Sequence, residues 1–176
     1  MRKIYVIGTT HDMLPKHTQE FKSLLEKYNP DMVLVEIVQA DINKNKIKNR
    51  YPREMIYALK WAIKNDKAAK GFDVRYKMVK TPSKEVKRAI KEFERKYTYL
   101  KKLDWKDFNN IENLIVGDDM FNSIIDTKAE LRRERSMLKN IKKYLPFNGK
   151  VIILTGAYHL IFFKKYLKNA IFPLMK

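Results

Sequence analysis

The sequence predicts an α/β fold: a mostly parallel central sheet flanked by helices, with a helical insertion over about 82–145 as cap or lid. Three observations carry this expectation. Short, apolar, β-branched runs recur along the chain, segments with helical periodicity lie between most of them, and the runs are unbroken instead of alternating with polar residues. Strands of that last kind are buried on both faces, which is the signature of parallel pairing between helical layers.

KIYVIG (3–8) is the first strand, and a helix follows near 16–28 with Phe21, Leu24, Leu25 and Tyr28 on one face. DMVLVEI (31–37) is the second strand. After the basic stretch INKNKIKNR (42–50), Pro52 opens a helix to about Asn65 whose stripe is Met55, Leu59, Ala62 and Ile63. AAKGFDV (68–74) is a weaker third strand. Thr81-Pro82 sets a cap before a proline at the first helical position, and opens a mostly helical region to about Leu145, broken by Gly117. KVIILTG (150–156) is the strongest strand; a short helix and a last strand near AIFPL complete the pattern.

At 176 residues, with no composition shift along the chain, one domain over 1–176 is expected, large enough to bury a core unaided. There is no cysteine, so disulfides and thiolate-ligated metals are excluded and any metal must be held by nitrogen and oxygen. MRKIYVIG does not read as a signal peptide, and no segment approaches the ~18 apolar residues needed to span a bilayer. A soluble cytoplasmic protein without an integral membrane segment is the expectation. Lys+Arg 38 against Asp+Glu 20 gives a net charge of +18, spread through every helical segment, which reads first as a solvated basic surface. The exception is 42–50, with four cations and no acid near them after Asp41. It can touch a phosphate or an acidic substrate, although a disordered basic loop is the simpler expectation.

Ligands of parallel α/β sheets bind at the carboxyl ends of the strands. His11 and His159, two of only three histidines, each stand three residues past a glycine, Gly8 and Gly156, that ends a strand. A glycine there permits a tight turn and close backbone approach, so that the histidine points back over the sheet edge. His17, at the start of a helix without such context, reads as a surface residue. Glu36 ends VLVE, where a carboxylate is expensive unless paired, hydrogen-bonded or bound to metal. His11, Glu36 and His159 together suit Zn²⁺, Mn²⁺ or Fe²⁺ with open positions for water. They equally suit a metal-free site in which a histidine is general base and a carboxylate orients it. Taking Leu131 as zero at 100° per residue, Leu138 and Leu145 fall at about −20° and −40°, Arg135 at about +40° and Arg133 near 200°. Arg135 therefore borders the inward stripe and needs an anion, whereas Arg132 and Arg133 face solvent. Glu54 lies in a first helical turn, where the helix dipole accounts for it.

The order of GTTH, PDMVLVE, REMIYALKWA with GFD, RERSMLKNIKKYL and VIILTGAYHL resembles the TraB/PrgY/TIKI group of the erythromycin-esterase/ChaN-like superfamily. The resemblance covers roughly 4–80 and 130–165, and the chain departs from it in lacking a membrane-spanning tail and in reading GFDVRYK where many relatives place an Asp-Arg pair. It implies a hydrolase-like site, metal-dependent in one branch and without obligatory metal in another. By position it carries over to Gly8, His11, Glu36, Glu54, Arg135, Gly156 and His159, and it raises Glu54 to a proton carrier.

The leading expectation is a hydrolase of an ester or amide (peptide) bond in a small-molecule or peptide substrate, with a divalent metal on His11, Glu36 and His159 slightly favoured. The ion would lower the pKa of its water; Arg135 would orient a carboxylate or stabilise an oxyanion. A haem, iron or small-anion binding module of ChaN-like type is the second expectation. Nucleic-acid binding through 42–50 and Lys84–Lys102 is the third, without any recognised reading motif.

Overall fold

A computed structural model describes residues 1–11, 15–75, 84, 87–88, 91–92, 95, 103–115 and 127–175, the side chains of 15–18 and 127 excepted. The Thr81-Pro82 helix opening, Gly117, most of Lys84–Lys102 and the side chain of His17 lie outside the described residues.

Among the described residues five strands form one parallel sheet in the order β3-β2-β4-β1-β5: β1 Arg2–Thr9, β2 Met32–Val38, β3 Ala68–Asp73, β4 Gly149–Gly156 and β5 Ala170–Ile171. Between them lie α1 Pro15–Tyr28, α2 Gln39–Asn43, α3 Arg53–Lys64, α4 Thr127–Tyr144 and α5 Leu160–Tyr166, so the α/β architecture read from the sequence is the one observed. Alternation along each strand divides the core between the two faces. Ile4, Val6, Leu34, Val151 and Ile153 face α4 and α5 through Met137, Leu138, Ile141 and Phe163. Ile7, Val33, Val35, Ile152 and Leu154 face α1 and α3 through Phe21, Leu25, Met55 and Ala58.

The region read as a helical cap or lid includes, in its described part, α4, whose Met137 and Ile141 are fully buried against the sheet. Trp105 packs edge-on against Phe21 on the opposite layer. The basic stretch expected to be disordered is instead turned and anchored. Amide-to-carbonyl bonds run from Lys46 to Asp41 at 2.8 Å and from Arg50 to Ile47 at 3.2 Å, and Ile47 and Tyr51 pack against the core. Asn45 and Asn49 take the positive φ values, 51° and 62°, that these turns require. Among the described residues no helix is long and apolar enough to cross a membrane.

Because every pairing is parallel, Thr9, Val38, Asp73 and Gly156 end on one edge of the sheet, with Thr9 opposite Gly156 and Val35 opposite Leu154 in register. That register sets the stage for the site: the residues just beyond these positions meet there.

Candidate functional site

The first strand delivers Thr9 and His11. His11 takes a left-handed backbone conformation, φ 64°, which is uncommon for a residue with a Cβ and turns its ring back over the sheet edge. Close approach is what the glycines supply. A Cβ on Gly156 would stand 2.7 Å from His11 Nε2 and 3.6 Å from Glu36 Oε2, and one on Gly8 would stand 2.8 Å from Ala157 Cα. The expected tight turn is thus made by His11, with φ 64°, while Gly156 takes φ −59°. Beyond Tyr5, β5 no longer pairs with β1. The Asn109 side chain takes its place, accepting the Gly8 N–H and donating to the Gly8 carbonyl, both at 2.9 Å. This buried amide acts as one further peptide unit of the sheet and fixes the strand end that carries His11.

Glu54 comes from the first turn of α3, on the face that also buries Met55, Ala58, Leu59 and Ala62. Ile63, expected in that stripe, is exposed, so the buried face is rotated toward Glu54. Its Oε1 accepts the Thr9 hydroxyl at 2.8 Å and lies 3.2 Å from His11 Nδ1. The Glu54 side chain is 2% exposed and that of His11 40%, so a buried carboxylate holds Nδ1 of a partly exposed ring. Glu54 Oε2 is buried with no hydrogen-bond partner among the described residues.

Glu36, one residue beyond the last paired position of β2 with β4, accepts the Thr155 hydroxyl at 2.8 Å and the Gly156 N–H at 2.7 Å through Oε2. Its Oε1 accepts Arg133 Nη2 at 2.8 Å and faces His159 Nε2 at 3.3 Å. His159 Nδ1 is 2.9 Å from Glu134 Oε1. Burial alone would drive Glu36 toward its neutral form, but the His159 charge and hydrogen bond, with His11 and Arg133, outweigh it and hold the carboxyl well below its usual range. Burial likewise opposes a charged His159, yet Glu36 and Glu134 push it up to about 10. The two histidines differ in kind: His159 is buried between Glu36 and Glu134, whereas His11 is a partly exposed ring held by Glu54.

The arginine of this site is Arg133, and the expectation for Arg135 is corrected. Arg133 reaches Asp73 through two bonds, Nε to Oδ1 at 3.0 Å and Nη2 to Oδ2 at 2.9 Å, Glu130 through Nη1 at 3.0 Å, and Glu36 as above. Burial disfavours its charge, but the Asp73 hydrogen bonds and the surrounding carboxylates raise it still further above the ordinary arginine value. Arg135 is exposed. Leu131 is exposed, and the buried face runs through Glu130, Glu134, Met137 and Ile141. With Met137 as zero, Arg133 falls at about −40° and Arg135 at about 160°. Sequence reasoning also missed Thr9, Asp73, Asn109, Glu130, Glu134 and Thr155. Of these Asp73 was signalled, as an acid ending a strand just as Glu36 does, and Glu130, Arg133 and Glu134 stand at the i, i+3 and i+4 spacing of one helix face.

A divalent ion on His11, Glu36 and His159 does not fit this arrangement. The guanidinium of Arg133 stands where such an ion would face Glu36 and His159, with Nη1 3.3 Å from His159 Nε2. Among the described residues no group of three or more histidine or acidic side chains is disposed to hold a metal. His11 and Glu54 thus stand beside an ionic floor of Glu36, Asp73, Arg133 and His159. Comparison with protein-family models, curated proteins and solved structures returns no match to this chain.

Proposed function

We propose that the protein hydrolyses an ester or amide bond with His11 as general base and Glu54 as the group that orients it. The observation that carries this reading is the pair itself, a half-exposed imidazole at positive φ whose Nδ1 sits 3.2 Å from a buried carboxylate. A carboxylate on Nδ1 holds the proton there and leaves Nε2 as the base, the division of labour of a histidine–carboxylate pair that activates a nucleophile. Thr9 donates to the same Glu54 oxygen and fixes its position.

In this reading a water held at His11 Nε2, beside Gly156, gives its proton to that nitrogen as its oxygen bonds to the carbonyl carbon and the carbonyl π electrons move onto the carbonyl oxygen. When the tetrahedral adduct collapses, His11 returns the proton to the departing alkoxide or amine, so that acid and alcohol, or acid and amine, leave and the base is regenerated. Arg133, its side chain 17% exposed, provides fixed positive charge in the floor of the site. Its bonds to three carboxylates make it a positioning residue. The resemblance to the TraB group agrees with His11, Glu36, Glu54 and His159 as site residues, and the branch of that superfamily without obligatory metal agrees better with Arg133 in the floor.

The test is turnover of a panel of aryl esters and short peptides by the wild type, His11→Ala and Glu54→Gln, with chelator present throughout. General-base catalysis contributes typically 10²- to 10⁴-fold. A loss of that size in His11→Ala, and a smaller one in Glu54→Gln, with unfolding curves close to wild type, is the expected outcome. Hydrolysis undiminished in His11→Ala would overturn the reading.

A further inference from the structure

The basic stretch between α2 and α3 plays no part in the chemistry above, yet the fold builds it with care. Asp41 is buried at the foot of this loop, where it accepts the Tyr51 hydroxyl at 2.7 Å and Arg75 Nη2 at 2.8 Å. Tyr51 in turn lies over the end of β2, receiving the Val38 N–H at 3.4 Å. These contacts, with the asparagine turns at 45 and 49, hold Lys46, Arg50 and Arg75 as exposed cations at the carboxyl ends of β2 and β3. The same loop runs through Pro52 directly into Glu54, and Asp73, at the end of β3, links Arg75 by two residues of chain to Arg133 in the floor. A loop whose purpose was only solubility would need neither the buried anchor nor the two left-handed turns.

Charge is distributed unevenly across the site. Among the described residues of the floor, Glu36, Asp73, Glu130 and Glu134 surround Arg133 and His159, and Glu54 adds a buried acceptor oxygen without a partner among them. An anionic group is repelled from that centre and attracted to the rim on the β2–β3 side, whereas hydrogen-bond donors are drawn inward. We infer that the substrate is an ester or amide that also bears an anionic group, a carboxylate or a phosphate, seated on Lys46, Arg50 and Arg75 while the scissile bond lies at His11. This rests on the hydrolase reading for the bond that is cut, but the anion seat stands on the loop alone.

The experiment compares matched esters, p-nitrophenyl butyrate and p-nitrophenyl hydrogen glutarate, on the wild type and on Lys46→Gln/Arg50→Gln. A charge-matched control is Lys27→Gln/Lys64→Gln, in the last turns of α1 and α3 at the other end of the sheet. Calorimetric binding of glutarate and of inorganic phosphate is measured in parallel and separates the two anion chemistries. The expected result is a kcat/KM ratio favouring the anionic ester about tenfold or more, lost in the rim variant, retained in the control and lowered by added salt, as screening of exposed charges requires. Equal use of both esters, with the ratio unmoved by the rim variant, would overturn the anion seat and leave the hydrolase standing. Binding of glutarate or phosphate that the rim variant abolishes, without turnover of either ester, would leave the seat and overturn the hydrolase. Neither binding nor turnover would overturn both.

Discussion

His159 offers the sharpest physical test of the buried ionic floor. Its side chain is 4% exposed, bonded to Glu134 at 2.9 Å and facing Glu36 at 3.3 Å, and its pKa rises from 6.5 to about 10. A group bound more tightly to its proton in the folded state adds stability that is complete below the unfolded value. That stability is lost as pH climbs from 6.5 through about 10. A shift of this size corresponds to a ceiling of roughly 5 kcal/mol at about 1.4 kcal/mol per unit, and sharing the interaction with Glu36 reduces the expectation to about 2–4 kcal/mol. Urea unfolding at half-unit steps from pH 6 to pH 10 measures it, with His159→Gln as the reference that removes the titration and keeps a polar side chain. The wild-type curve should fall steadily across this window by that amount more than the variant's. Parallel slopes for the two proteins would show that His159 is not held as a buried cation, and the account of the floor would fail.

On the acid side, Glu36 has the opposite sign. Its depressed pKa supplies stability above the usual carboxylate range that is lost as pH falls, so Glu36→Gln should flatten the acid limb of the same unfolding series. Arg133→Met should destabilise by about 3 kcal/mol or more, since it strands Glu36, Asp73 and Glu130 without their shared partner, whereas Arg135→Met should stay within about 0.5 kcal/mol. Asn109→Ala removes two buried hydrogen bonds to Gly8 and should cost about 1–3 kcal/mol by urea titration, and it should also lower ester turnover by loosening the turn that carries His11. Gly156→Ala would set a methyl carbon 2.7 Å from His11 Nε2, so kcat/KM should drop tenfold or more with a smaller effect on the unfolding midpoint.

Local pattern alone was enough to place the strands β1, β2 and β4, the helices α1 and α3, and the parallel α/β class, because an apolar run or a 3.6-residue period is written in consecutive residues and survives whatever packs against it. It also placed His11, Glu36 and His159 at strand ends, since a glycine or a charge terminating a buried strand is a local mark. The absolute rotation of α4 was decided only by tertiary packing. Periodicity sets the angles between Leu131, Arg133, Arg135 and Leu138 but not which direction is inward, and a helix whose buried face contains Glu130, Arg133 and Glu134 hides that face from any count of apolar residues. Likewise Asn109 meets Gly8 across 101 residues of chain, and the buried Asp41 is met by Tyr51 and Arg75 from outside its own helix. Charged and amide side chains become interior when partners from distant segments satisfy them, and those partners exist only once the chain has folded.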